Sequence, residues 1–151
     1  MNLRIHHFFD IIRDYGRGKE FHQHQYGHSY HKVAELIRKD PKIKINIVIA
    51  ADDVCEGCLY LREGKCLDKI DHRKDFSSKQ EFNDNIDNKI MTACLIENGD
   101  TLNPTELCKI AKLYLKNIKS IYDGNDIEDI KNRKLNVIKG LKYYSKEHGV
   151  T

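Results

Sequence analysis

The sequence predicts an α+β protein, mostly α, with a short N-terminal β-α-β-like unit and a cysteine loop, packed on a C-terminal three-helix bundle. Three observations carry this prediction. Ile43, Ile45, Ile47 and Ile49 alternate with Lys44, Asn46 and Val48, which is the period of a strand with one buried face. Directly after this run, Cys55, Cys58 and Cys66 occur with the spacing C-x2-C-x7-C. Beyond residue 76, apolar residues recur at helical spacing in three successive stretches.

The chain begins with Leu3 and Ile5 alternating with Asn2 and Arg4, a short strand ending at His6-His7. Phe8, Phe9, Ile11, Ile12 and Tyr15 then fit a helix stopped by Gly16 and Gly18. A histidine-rich segment follows, with His22, His24, His28 and His31, and Val33, Ala34, Leu36 and Ile37 continue it as a helix. That helix ends near Asp40-Pro41, because a residue before proline avoids helical geometry. The Ile43–Ala51 strand comes next, and if it pairs in parallel with the first strand, both carboxyl ends share one edge. His6, His7, Asp52, Asp53 and the cysteine loop then meet there.

In the second half, Ser78-Lys79-Gln80-Glu81 reads as a capping box, and Phe82, Ile86, Ile90, Ala93 and Cys94 form the stripe behind it. Asn103-Pro104-Thr105-Glu106 opens another helix with Asn as cap and proline in the first turn. Gly124-Asn125-Asp126 makes a turn and cap before a last helix running to about Ser145. No linker divides the chain, so residues 1–151 read as a single domain with parts 1–75 and 76–151.

A net charge of +3 is spread along the chain without a basic block carrying aromatics, so no nucleic-acid partner is expected. No apolar run approaches the roughly 20 residues of a membrane span, and the first residues lack the apolar core of a secretory signal. The expectation is a cytoplasmic protein without a membrane partner. Thiols stay reduced there, so the clustered cysteines read as metal ligands or redox groups, and five cysteines cannot all pair as disulfides.

A C-x2-C turn containing glycine lets two thiolates converge on one metal. Three loop thiols leave one ligand to find, and Cys94, His6, His7, His72 and Asp10 are the candidates. Cys94 lies on an apolar stripe, where a packed core thiol is the competing reading, and Cys108 reads as packing. Zinc and an iron–sulfur cluster both take four ligands, and the spacing does not choose between them.

The combination Arg4-Ile5-His6-His7-Phe8-Phe9, then Gly16-Arg17-Gly18, then an Ile/Val strand running into Asp52-Asp53-Val54-Cys55, resembles the prokaryotic domain-of-unknown-function family 1284. The resemblance covers roughly residues 3–97. It implies an iron–sulfur cluster as cofactor and no defined reaction, while zinc is the alternative that the cysteine spacing leaves open. Members often carry a cysteine shortly after the paired histidines, where this chain has Asp10.

His24, His28 and His31, at i, i+4 and i+7, share a face if the segment is helical, which makes them a second metal site together with Asp53. The alternative is a solvated helix start. Asp52 and Asp53 suit either metal ligation or base chemistry, or capping of the following turn, and capping is expected of one of them. No nucleophile motif, phosphate loop or dinucleotide fingerprint occurs. Three functions remain: a metal-centre protein with a redox or protein partner, a metal-dependent enzyme using the histidine-rich face, and a helical interaction module.

Overall fold

The computed structural model describes residues 1–150. Its elements are β1 (Asn2–Leu3), α1 (Ile5–Gly16), α2 (Tyr30–Lys39), β2 (Ile45–Ile47), a 3-10 turn at Asp53–Cys55, the hairpin β3 (Leu61–Arg62) and β4 (Lys65–Cys66), α3 (Lys79–Cys94), β5 (Thr101–Leu102), α4 (Pro104–Lys116), α5 (Ile118–Ile121) and α6 (Ile127–His148). The class is α+β, mostly α, as the periodicities predict.

β1 and β2 pair in parallel, with Asn2 opposite Asn46 and Leu3 opposite Ile47. Leu3, Ile45 and Ile47 point into the core and are fully buried. β2 is shorter than its isoleucine alternation, because both neighbouring strands are two residues long and give ladder partners only to Ile45–Ile47. The third strand, β5, pairs antiparallel to β2 with Leu102 opposite Ile45 and is not legible in so short a segment.

β1 stops at Leu3, and His6-His7 lie in the first turn of α1 rather than at a strand end. Ile5 joins Phe8, Phe9 and Ile12 on the buried helical face. The helix start is held by carboxylates from elsewhere: Asp52 accepts the Arg4 N–H at 2.7 Å and Asp87 accepts the His6 N–H at 2.9 Å. Anions at a helix N-terminus satisfy its free amides and its dipole together.

The cap of α4 forms as expected, with Asn103 and Glu106 exchanging side-chain and backbone hydrogen bonds at 2.9 and 2.8 Å. At α3, Ser78 accepts from the Glu81 N–H at 3.1 Å, but Glu81 reaches back to the amide of Ser77, one residue earlier than a capping box requires.

The C-terminal helices do not make a bundle of their own. α6 packs chiefly along α1, while α3 bridges α1 and α4. The α1–α6 crossing is closed by two glycines. A Cβ on Gly140 would lie 1.9 Å from the Ile12 carbonyl oxygen, and one on Gly16 would lie 1.9 Å from that of Asn136. Phe9 of α1 stacks on Tyr114 of α4 at 3.8 Å between centroids, so α1 is enclosed by the other helices. Burying a Phe, Leu or Ile side chain of this face contributes about 1.5–3 kcal/mol. No helix among the described residues is long and apolar enough to cross a membrane.

Candidate functional site

A cavity of about 670 Å³ opens beside the first turn of α1. His6 and His7 line it with their rings 4.2 Å apart. Both rings are held at Nδ1 by a buried carboxylate: His6 by Asp87 at 2.8 Å, His7 by Asp52 at 2.7 Å. Asp87 lies on the buried side of α3 and also takes the Arg4 guanidinium at 2.8 Å. Burial pushes both carboxyls up, but the partners outweigh it. His6 and Arg4 hold Asp87 below the usual carboxylate range, and His7 with the Arg4 amide holds Asp52 at about 2. Burial also opposes charge on His7, yet Asp52 lifts its pKa above the ordinary value. With ionised carboxylates at Nδ1, each neutral imidazole carries its proton there and leaves the Nε2 lone pair free. This is the arrangement in which a histidine ligates a metal, once the His7 imidazolium that Asp52 favours has given up its Nε2 proton.

Asp52 also joins the histidines to the cysteine loop. Its other oxygen, Oδ1, caps the 3-10 turn by accepting the Val54 N–H at 3.2 Å and lies 3.5 Å from Cys55 Sγ. One of the two aspartates therefore does cap, as expected. Cys55, Cys58 and Cys66 are half-buried and line the same cavity. The Cys58 N–H closes the turn on the Cys55 carbonyl at 3.0 Å. Cys66 sits on β4 opposite Leu61, and its N–H is held by Gln80 Oε1 at 2.9 Å, which ties the hairpin to α3. Burial, then the Asp52 charge, pushes the Cys55 thiol up to about 12, so it is a neutral donor toward Asp52.

A family model described as a protein of unknown function, DUF1284, matches residues 22–130. The chain belongs to this family. No curated protein and no solved structure matches it. The DUF1284 match takes in the three loop cysteines, Asp52, Asp87, His24 and His28, and begins after His6 and His7.

The remaining candidates of this DUF1284 chain divide into those on the cavity wall and those off it. α2 begins at Tyr30, so His24 and His28 lie in the preceding loop and do not share a helix face with His31. Gly27, with φ +77°, breaks the helix that their spacing predicts. His24 and His28 line the cavity as a stacked pair, 4.6 Å between centroids and 16° between planes, whereas His31 does not reach it. Their Nδ1 atoms accept the N–H groups of Tyr26 and Tyr30, at 3.1 and 3.4 Å, so the proton of each neutral ring is on Nε2. This tautomer is the opposite of that at His6 and His7. Burial first, then His24, His7 and Lys79, push the His28 pKa down to about 4.

Asp53 is off the wall, its carboxylate accepting the Asn2 N–H at 3.2 Å. Cys94 is also off the wall and is 3% exposed in the core, and Cys108 packs against that core. His72 lines the cavity edge-on to Phe82. Asp10 lines it too, but in ion pairs with Arg133 at 2.6 Å and Arg13 at 3.4 Å. Burial pushes the Asp10 carboxyl up, and the two arginines more than offset this and hold it well below the usual range. Among the described residues, no three His, Cys, Asp or Glu side chains are gathered closely enough to share one ion. The donors face one cavity without converging on a point.

Sequence reasoning missed Asp87 and Arg4. A signal for Asp87 was present, since it falls three residues before Ile90 and seven before Cys94, on the stripe that α3 buries.

Proposed function

We propose that the chain is a metal-centre protein that holds an iron–sulfur cluster, or alternatively zinc, on Cys55, Cys58 and Cys66 with an imidazole of the His6-His7 pair as fourth ligand. The observation that supports it is the pair of carboxylate-held histidines offering Nε2 lone pairs to the cavity that the three thiols line. Cys94 is the weaker fourth ligand, because it faces the core rather than the cavity. His7 is favoured over His6, since Asp52 touches both its ring and Cys55. A three-thiolate, one-imidazole set suits zinc, and it suits a cluster in which histidine replaces one cysteine.

The residues fit such a group on chemical grounds. Burial beside the Asp52 anion pushes the Cys55 thiol further from ionising, and a cation at the cavity would offset that and favour the thiolate. When bound, a cluster supplies one-electron chemistry and zinc supplies a structural clamp. Asp52 and Asp87 orient the imidazoles and offset positive charge. Binding such a group would require the three thiols and the imidazole to converge, since they line one cavity without meeting at a point. All five cysteines are free, which suits a reducing compartment such as the cytoplasm. An enzyme with Asp52 or Asp53 as base is disfavoured, because both carboxylates are engaged by backbone amides.

The test is to purify the protein without oxygen, record its visible spectrum and measure iron, sulfide and zinc. Brown protein with stoichiometric iron and sulfide supports the cluster, and colourless protein with one zinc supports the alternative. Metal-free protein that takes up neither overturns the reading.

A further inference from the structure

The cavity is larger than a metal centre needs. At about 30 Å³ per water, its 670 Å³ hold on the order of twenty waters, which is the size range of small-molecule sites. Its two histidine pairs are also chemically opposite. His6 and His7 turn their protonated Nδ1 atoms to Asp87 and Asp52 and keep Nε2 lone pairs. His24 and His28 turn their Nδ1 lone pairs to the backbone amides of Tyr26 and Tyr30 and keep Nε2–H groups. Ligation of a metal by the second pair would forfeit those backbone hydrogen bonds. Their free edges are donors, suited to an acceptor oxygen. Neither Nε2 has a protein partner among the described residues, and both rings line the cavity.

We infer that His24 and His28 form an oxyanion-binding wall, which holds the carboxylate or phosphate of a small organic ligand in the cavity beside the cysteine loop. Lys69 lines the same cavity without an ion pair among the described residues, whereas Lys79, also on its wall, is paired with Asp68 at 3.2 Å. The stack is fixed by its loop. Leu59 N–H bonds the Tyr26 carbonyl at 2.8 Å and Ser29 N–H bonds that of Val54 at 2.8 Å, so the histidine loop and the cysteine loop move as one. The wall uses the cavity of the proposed metal centre, but its donors are present without metal.

The experiment titrates inorganic phosphate and, separately, succinate into the intact protein before and after chelation of metal. It reads the imidazole Nε2–H resonances of His24 and His28 and the dissociation constant. Saturable shifts of both resonances are expected, and the arm that binds more tightly identifies the oxyanion as phosphate or carboxylate. His24→Phe with His28→Phe keeps two stacked rings without donors and is expected to weaken binding at least tenfold at unchanged metal content. His28→Gln restores one N–H and recovers most of the loss. No saturable shift with either anion, or equal affinity in the double Phe variant, overturns the inference. Saturable anion binding by protein that takes up neither iron nor zinc would support the wall and count against the metal centre alone.

Discussion

Gly27 and Gly57 meet backbone to backbone where the histidine loop crosses the cysteine loop. Each has positive φ, +77° and +81°, and a Cβ on either would lie 2.6 Å from the carbonyl oxygen of the other. The contact sets His24 and His28 beside Cys55 and Cys58, and only a residue without a side chain allows it from either direction.

Gly57→Ala therefore combines two penalties. The left-handed conformation alone costs an alanine about 1–2 kcal/mol, and the carbonyl contact adds to that. Gly64→Ala is the control, since its φ is +75° but nothing lies within 4 Å of its Cβ. In urea unfolding Gly57→Ala is expected to lose clearly more stability than Gly64→Ala. Equal losses would show that the loops separate freely.

Asp87 is fully buried and serves Arg4, the His6 amide and the His6 ring. Asp87→Ala leaves a buried guanidinium without its innermost partner. Breaking such a pair costs about 3–5 kcal/mol, so the urea midpoint is expected to fall sharply. A change below about 1 kcal/mol would mean that Asp84, 2.8 Å from the same guanidinium, replaces it.

Stability is expected to decline in acid through Asp10. Its folded pKa is depressed, with Arg133 and Arg13 overcoming burial, so the unfolded chain takes up its proton first. The contribution is complete above the unfolded value of about 4 and is lost as pH falls below it. In thermal melts from pH 6 to pH 2.5, Asp10→Asn should start less stable and lose less than the parent. Parallel curves would remove Asp10 from the acid limb.

Cys94→Ser and Cys66→Ser separate packing from ligation. A hydroxyl buried without a partner costs about 1–3 kcal/mol, so Cys94→Ser is expected to be less stable with metal content unchanged. Cys66→Ser is expected to lose metal. Asp52→Asn keeps the shape of the His7 partner but not its charge, and outer-shell changes of this kind typically lower metal affinity about 10–100-fold. Metal loss in Cys94→Ser as well as in Cys66→Ser would transfer the fourth ligand to α3.

Local patterns carried the fold well. Isoleucine alternation marked β2, and Asn103-Pro104-Thr105-Glu106 marked the start of α4 to the residue. These are interactions within a few positions of one another. The parallel β1–β2 pair was legible because both segments are apolar and joined by helical sequence. What stayed hidden depends on distant segments. Asp87 caps a helix 81 positions away at His6, and Gly27 breaks a plausible histidine helix in order to meet Gly57. The site was legible as a list of donors, but the opposite tautomers of its two histidine pairs follow from hydrogen bonds that spacing does not encode.

The glycine crossing of α1 and α6 has a consequence for the order of events at the ribosome. Gly16 is seated by Asn136 and Gly140, and Asp10 by Arg133, so the helix bearing His6 and His7 gains its most extensive neighbour only when residues 127–148 emerge. During synthesis the cysteine loop and the carboxylates that hold His6 and His7 are made before the helix that closes over α1. A chain stalled before residue 127 would therefore carry the cysteine loop without Arg133, which lines the same cavity and pairs with Asp10.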